Sequence, residues 1–116
     1  MKGVRWVLVP SVMNYPVLDE VKRTFEDEKE VKLVPLVMTI ITNYTDKEQV
    51  GSVREEIENG IKLLKERLSE EDEVYLVVGG SCLGVAFAVE SLMREGINFT
   101  KLVFEKKIDR YAVVEE

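Results

Sequence analysis

The sequence contains no histidine and only one cysteine, Cys82, among its 116 residues. The absence of histidine excludes the usual zinc ligand sets, the Ser-His-Asp and Cys-His nucleophile systems, and the commonest general base at neutral pH. A lone cysteine has no partner for an internal disulfide, which suits a reducing compartment. Any chemistry must therefore rest on other groups.

Long apolar runs are also lacking. No stretch reaches the roughly 20 apolar residues that span a bilayer. The N-terminus lacks the apolar region and small-residue cleavage site of a signal peptide. We therefore expect a cytoplasmic protein that does not enter a membrane. The charged residues are mostly Glu and Lys, with a single Gln, a bias that resembles the surface of thermophile proteins.

The charge balance limits the possible partners. Sixteen Lys and Arg against 22 Asp and Glu leave a net charge of −6, and such a field repels the phosphates of long nucleic acid. Hydrophobic residues make up 46% of the chain and charged residues 33%, which predicts a globular protein with one domain over residues 1–116. The carboxylates are scattered, so we predict no metal site and no cofactor.

The apolar pattern predicts strands and helices in alternation. Strands are predicted at residues 4–9, 31–41 and 74–78, and a closing hairpin at 99–104 and 111–114. Pro35 argues that the second strand is an edge strand or contains an irregularity. Helices are predicted after Pro16, from the cap Asp46 to Leu68, and over residues 85–94 before Gly96.

This order predicts an α/β fold. We expect a Rossmann-like three-layer sandwich, in which helices cover both faces of a mostly parallel sheet that ends in a C-terminal antiparallel hairpin. In such sheets ligands bind beyond the carboxyl ends of the strands. Two loops must lie at that edge, Pro10–Tyr15 after the first strand and Gly79–Gly84 after the third.

The loop after the third strand is the strongest local signal. Its glycines leave backbone N–H groups accessible at a helix N-terminus, where the helix dipole favours an anion, and its serine adds a hydroxyl. It matches neither the Walker loop nor the dinucleotide fingerprint. A tight strand-to-helix turn with a serine cap is the alternative interpretation. The predicted ligand-binding residues are Ser11, Asn14, Tyr15, Gly79, Gly80, Ser81 and Cys82.

Cys82 and the helix after it each allow two interpretations. A thiol at a helix N-terminus can act as a nucleophile, but a phosphatase-type loop would need Arg where Ala88 stands, so a small semi-buried residue is favoured. The helix carries a single charge, Glu90, between Gly79 and Met93. A helix so apolar must be covered on more than one side, either by a homodimer partner or by its own chain.

Taken with this layout, the C-terminal half resembles a CARF domain, the CRISPR-associated Rossmann-fold sensor of cyclic oligoadenylates. In that family a hydrophobic strand ends in a Gly-Gly-Thr/Ser loop, an apolar helix follows, and an antiparallel strand pair closes the domain. The matching segments are Val74–Ser81, the helix through Met93, and Leu102–Val114. Cys82 stands where members often carry Lys or Arg.

The resemblance implies a ligand and a chemistry. It implies a homodimer that binds cyclic oligoadenylate. Because the chain has no room for an effector domain, it resembles a ring nuclease, which degrades the messenger, or a pure binder. The ligand's own 2′-hydroxyl can attack the adjacent phosphate without metal, and we predict Ser11 and Ser81 as the catalytic residues. The alternative is a non-catalytic module that binds a protein or a mononucleotide.

Overall fold

The computed structural model describes residues 3–12, 17–25 and 27–114 of the chain. In these ranges the chain forms five strands and three helices. In chain order they are β1 (Val4–Val9), α1 (Val17–Thr24), β2 (Glu30–Pro35), α2 (Lys47–Arg67), β3 (Glu73–Val77), α3 (Cys82–Arg94), β4 (Thr100–Glu105) and β5 (Arg110–Val114). Within the described residues, no helix combines the length and the apolar character needed to cross a membrane.

The five strands form one mixed sheet in the order β2-β1-β3-β4-β5. The first four strands of this order run parallel, and β5 pairs with β4 in the antiparallel direction. The link between β4 and β5 begins after Glu105 and includes Asp109 at a φ of 50°. The predicted α/β class, the mostly parallel sheet and the closing hairpin are therefore confirmed.

Alternate side chains of β1 belong to two separate hydrophobic clusters. Trp6 and Leu8 pack with buried residues of α2 and α3. Val7 and Val9 pack instead with Val21 of α1 and with residues of β3, β4 and β5. Because successive side chains of a strand point to opposite faces, both faces of the central strand are buried. The continuous apolar run from Trp6 to Val9 follows from this double burial.

The second strand is shorter than predicted. It ends at Pro35, whereas the sequence predicted a strand through Ile41. The N–H of Leu36 still donates to the carbonyl of Val9, at 2.9 Å. Since β1 itself ends at Val9, the chain beyond this point has no neighbouring strand to pair with, and residues 36–46 form an irregular segment. The prediction of a strand through Ile41 was therefore wrong.

The third helix is longer than predicted and is largely covered by its own chain. It begins at Cys82 rather than Val85, because Ser81 caps it. Its residues Phe87, Ala88 and Leu92 are buried in the same cluster as residues of α2 and the sheet. Coverage within the chain therefore accounts for most of its apolar character. The homodimer stays a prediction.

Asp72 ties the start of β3 to the start of β1. Its Oδ1 accepts a hydrogen bond from the N–H of Val4 at 2.8 Å, and its Oδ2 accepts from the indole of Trp6 at 2.9 Å and from the N–H of Ser69 at 3.1 Å. Burial raises the pKa of Asp72, but these hydrogen bonds to its charged form outweigh burial and lower the pKa to about 2. The carboxylate thus stabilises the pairing of β1 and β3 at their first residues.

We predict that Asp72→Asn lowers the melting temperature at pH 7 by roughly 5 °C, as expected for a loss of about 1 kcal/mol. The amide nitrogen of asparagine cannot accept hydrogen bonds, so the bonds to one of the two carboxylate oxygens are lost. The folded-state pKa lies below the unfolded value near 3.8, so this stabilisation is complete above about pH 5 and disappears as the pH falls toward 2.

The measurement is a set of thermal melts from pH 7 to pH 2.5. The difference between Asp72→Asn and the unchanged protein should shrink as the solution is acidified. Glu70→Gln, on the neighbouring exposed turn, is the control for removing one negative charge. A constant difference over the whole pH range would contradict the assigned role of the carboxylate.

Candidate active site

The two loops expected at the carboxyl edge of the sheet are joined by a hydrogen bond. Since β1 and β3 are parallel neighbours, with Leu8 opposite Leu76, their ends lie at the same edge. There the Ser11 hydroxyl donates to the Gly79 carbonyl at 3.1 Å. Only 7% of Ser11 is exposed. The structure thus brings together two predicted site residues that are 68 positions apart in the chain.

The loop after β3 leads directly into α3. Gly80 has a φ of 74°, in the left-handed region that favours glycine. Ser81 is the N-cap, and its Oγ accepts a hydrogen bond from the N–H of Gly84 at 3.2 Å. The first N–H groups of a helix, here those of Cys82 and Leu83, have no partner within the helix. The predicted serine cap is therefore present, and the exposed residue Cys82 follows it.

The start of α3 lies against the end of β1. A Cβ added to Gly84 would lie 2.1 Å from the carbonyl oxygen of Pro10, much closer than real contacts allow. Only glycine therefore permits this approach of helix to strand. The contact fixes where the α3 N-terminus stands relative to the loop that carries Ser11.

A cavity of about 400 Å³ opens beside these two loops. Three predicted site residues line it, Ser11, Gly80 and Ser81. Its other lining residues come from the loop after β1, from the segment after β2 and from α2: Pro10, Val12, Val37, Thr39, Ile40, Ile41, Tyr44 and Val53. The volume lies within the range of about 300–1,000 Å³ that is typical of small-molecule sites.

Two further predicted site residues, Gly79 and Cys82, are not among the described residues that line the cavity. Gly79 acts through its carbonyl, which accepts the Ser11 hydrogen bond. Cys82 is exposed as the first residue of α3. Asn14 and Tyr15 lie outside the described residues.

Sequence reasoning missed the wall formed by residues 37–44. Side chains of α2 hold this segment. Gln49 Oε1 accepts from the N–H groups of Thr42 and Asn43 at 2.9 and 3.1 Å, and Glu56 Oε1 accepts from the Thr39 hydroxyl at 3.0 Å. The available signals were Pro35 and the polar residues that interrupt the apolar pattern after it.

Ser11 and Ser81 use different parts of their hydroxyl groups in hydrogen bonds to the protein: Ser11 donates its proton, and Ser81 accepts through its oxygen. A hydroxyl carries one donor and two acceptor sites. The Ser11 proton is used on Gly79, and no described residue donates to its lone pairs. The Ser81 oxygen accepts from Gly84, and its proton has no acceptor among the described residues. No charged side chain lines the cavity among the described residues, so an anion would be held by dipoles and hydroxyls.

Within the described ranges, no group of three or more Cys, Asp or Glu side chains is arranged to hold a metal ion. The residues that line the cavity supply hydroxyls, apolar surface and backbone groups. This set suits an organic ligand with a hydrogen-bonding part and an apolar part.

We predict that Gly84→Ala destabilises the protein by about 1–3 kcal/mol, the usual cost of overpacking a tight contact. Gly51→Ala is the matched control, because a Cβ at Gly51 in α2 meets nothing within 4 Å. That substitution should stabilise the protein by about 0.5–1 kcal/mol. Urea denaturation measures both. Equal effects of the two substitutions would disprove the steric role of Gly84.

Comparison of the chain with protein-family models, with curated proteins and with solved structures gave no match.

Proposed function

We propose that this chain is a stand-alone CARF-like protein, with a Rossmann-like three-layer arrangement, that binds a cyclic oligoadenylate in the cavity beside Ser11 and Ser81. The observation that supports it best is that Ser11, Gly80 and Ser81 line one cavity at the carboxyl edge of β1 and β3. In the strand order β2-β1-β3-β4-β5, the order reverses between these two strands, where doubly wound sheets bind their ligands.

The ligand phosphate is proposed to lie at the start of α3. Cys82 and Leu83 belong to the first turn of α3, where the helix dipole stabilises negative charge. The Ser81 hydroxyl can donate its remaining proton to a phosphate oxygen. These contacts need no basic side chain, so they are compatible with Cys82 at a position where the family often carries Lys or Arg.

The size of the cavity is compatible with a homodimer. About 400 Å³ is near the lower end of the range for ligand sites, so one cavity would take part of a cyclic oligonucleotide. Two copies related by a two-fold axis would present two such cavities to a ligand that is itself two-fold symmetric. In this proposal the complete site belongs to the dimer.

The proposed cleavage uses the ligand's own 2′-hydroxyl. Its oxygen attacks the adjacent phosphorus, the bond to the 5′-oxygen breaks, and the 2′-hydroxyl proton ends on that leaving oxygen. Ser11, with lone pairs available, would accept the 2′-hydroxyl proton in a hydrogen bond and orient the attack. Ser81 would donate to the phosphoryl oxygen where charge develops. The products are linear oligoadenylates with a 2′,3′-cyclic phosphate.

A second candidate function is the docking of a partner protein on the outer flank of α3. A groove of about 840 Å³ lies between α3 and the C-terminal strands, lined by residues that include Val89, Met93, Phe99 and Val114. Met93 is 70% exposed there. This function would leave the cavity at Ser11 without a ligand, so nucleotides would not change thermal stability.

We predict that cyclic tetra- or hexa-adenylate raises the melting temperature by on the order of 10 °C at a hundred times its Kd, because the ligand binds only the folded state. Ser11→Ala and Ser81→Ala should reduce this shift. Ser81→Thr keeps both the helix cap and a hydroxyl, and Ser91→Ala removes a buried serine outside the cavity; both should behave like the unchanged protein. If neither cyclic tetra-adenylate nor cyclic hexa-adenylate shifts the melting temperature, the proposal is overturned.

We further predict that incubation with the ring that binds, in the presence of EDTA, yields linear products ending in a 2′,3′-cyclic phosphate. Chromatography with mass spectrometry detects them. Ser11→Ala and Ser81→Ala should slow cleavage by about 10²-fold or more, as the loss of a positioning or oxyanion contact does. Binding without any product would assign the chain as a pure binder.

A further inference from the structure

The wall of the cavity formed by residues 37–44 carries apolar side chains that the core does not use. Met38, Ile40 and Tyr44 are 81%, 67% and 62% exposed. Ile40 and Tyr44 line the cavity. Apolar groups concentrated on one exposed, irregular segment mark a ligand or interaction site. A ligand bound in the cavity would cover the two that line it, Ile40 and Tyr44.

Hydrogen bonds hold this wall in place without burying it. The Gln49 side chain donates from Nε2 to the Thr42 hydroxyl at 3.0 Å, in addition to accepting from the backbone of the same segment. Asn43 Oδ1 accepts from the N–H and hydroxyl of Thr45 at 3.0 and 2.7 Å. Tyr44 therefore sits on a braced turn, and binding against it would order little additional chain.

Thr39 gives the same wall a directional polar group. Its hydroxyl donates to Glu56 Oε1 at 3.0 Å. A carboxylate only accepts, so the Thr39 oxygen presents its lone pairs and not its proton to the cavity. Glu56 itself does not line the cavity, so Thr39 is the group that a ligand would meet. A ligand amino group can donate to the Thr39 lone pairs, and a ligand carbonyl cannot.

We infer that the 37–44 wall binds an amino-substituted purine, with Tyr44 stacking on the ring and Thr39, oriented by Glu56, accepting from the exocyclic amino group. The inference rests on the proposed function and assigns the two ends of the ligand. The purine lies on the 37–44 wall, and the phosphate lies at the start of α3. Aromatic and apolar surfaces suit the flat ring, and Thr39 selects adenine over a purine with a carbonyl at that position.

The first experiment compares AMP, IMP and ribose 5-phosphate as probes, with calorimetry and ligand-observed NMR. IMP has a carbonyl where AMP has the amino group, and ribose 5-phosphate has no base. We expect AMP to bind about 10-fold more tightly than IMP. Tyr44→Ala should weaken AMP binding by about 10-fold or more, and Tyr44→Phe, which keeps the aromatic ring, should restore the lost affinity. Because ribose 5-phosphate has no base, Tyr44→Ala should not change its affinity. Leu63→Ala, on an exposed apolar residue of α2, is the control.

The second experiment reverses the polarity of Thr39 through Glu56→Gln. The glutamine amide can donate to the Thr39 oxygen, which leaves the Thr39 proton available to the cavity. The ratio of the AMP affinity to the IMP affinity should then fall toward one. Glu55→Gln, at the adjacent exposed position of α2, should leave the preference unchanged. Melting curves without ligand report folding of each variant separately.

The outcomes separate this inference from the proposed function. If cyclic tetra-adenylate binds in a Ser11-dependent way while Tyr44→Ala and Glu56→Gln change neither affinity nor base preference, the inference is wrong and the proposed function stands. If AMP binds with the expected dependence on Tyr44 but no cyclic oligoadenylate binds, the wall is a purine site and the proposal of a cyclic ligand is wrong. If no probe binds, both are overturned.

Discussion

The site depends on the contact between the first turn of α3 and the end of β1. Gly84 lies against the Pro10 carbonyl so closely that a methyl group would not fit, and the Ser11 hydroxyl is bonded to Gly79 beside it. These two contacts fix the distance between the loop after β1 and the helix N-terminus. Both loops follow strands that are neighbours in one sheet. The cavity beside these loops therefore has a defined shape before any ligand enters.

The cavity combines two kinds of surface from different sources. Its polar end is made of loops that follow β1 and β3, which the sheet positions. Its apolar end is the irregular segment after β2, which side chains of α2 position. A ligand with a phosphate and a flat heteroaromatic ring would use both ends. Because the cavity has both a polar end and an apolar end, a nucleotide fits it better than a simple anion does.

Local patterns predicted most of the fold and three of the residues that line the cavity. The run Val4–Val9, the cap at Asp46 and the glycines before α3 each act through their own neighbours, so the sequence alone placed them. The end of β2 at Pro35 depends on β1 ending at Val9. The bond from Ser11 to Gly79 and the bracing of Thr39 by Glu56 join distant parts of the chain. No local pattern could reveal these contacts.

The bracing of residues 37–44 has a consequence for how this fold can change. The segment contributes no strand to the sheet, and two side chains of α2, Gln49 and Glu56, supply hydrogen bonds to it. Substitutions at its tip would therefore alter what the cavity selects while the scaffold keeps its stability. Under the proposed function, exchange of this single short segment would change the base preference independently of the phosphate contacts.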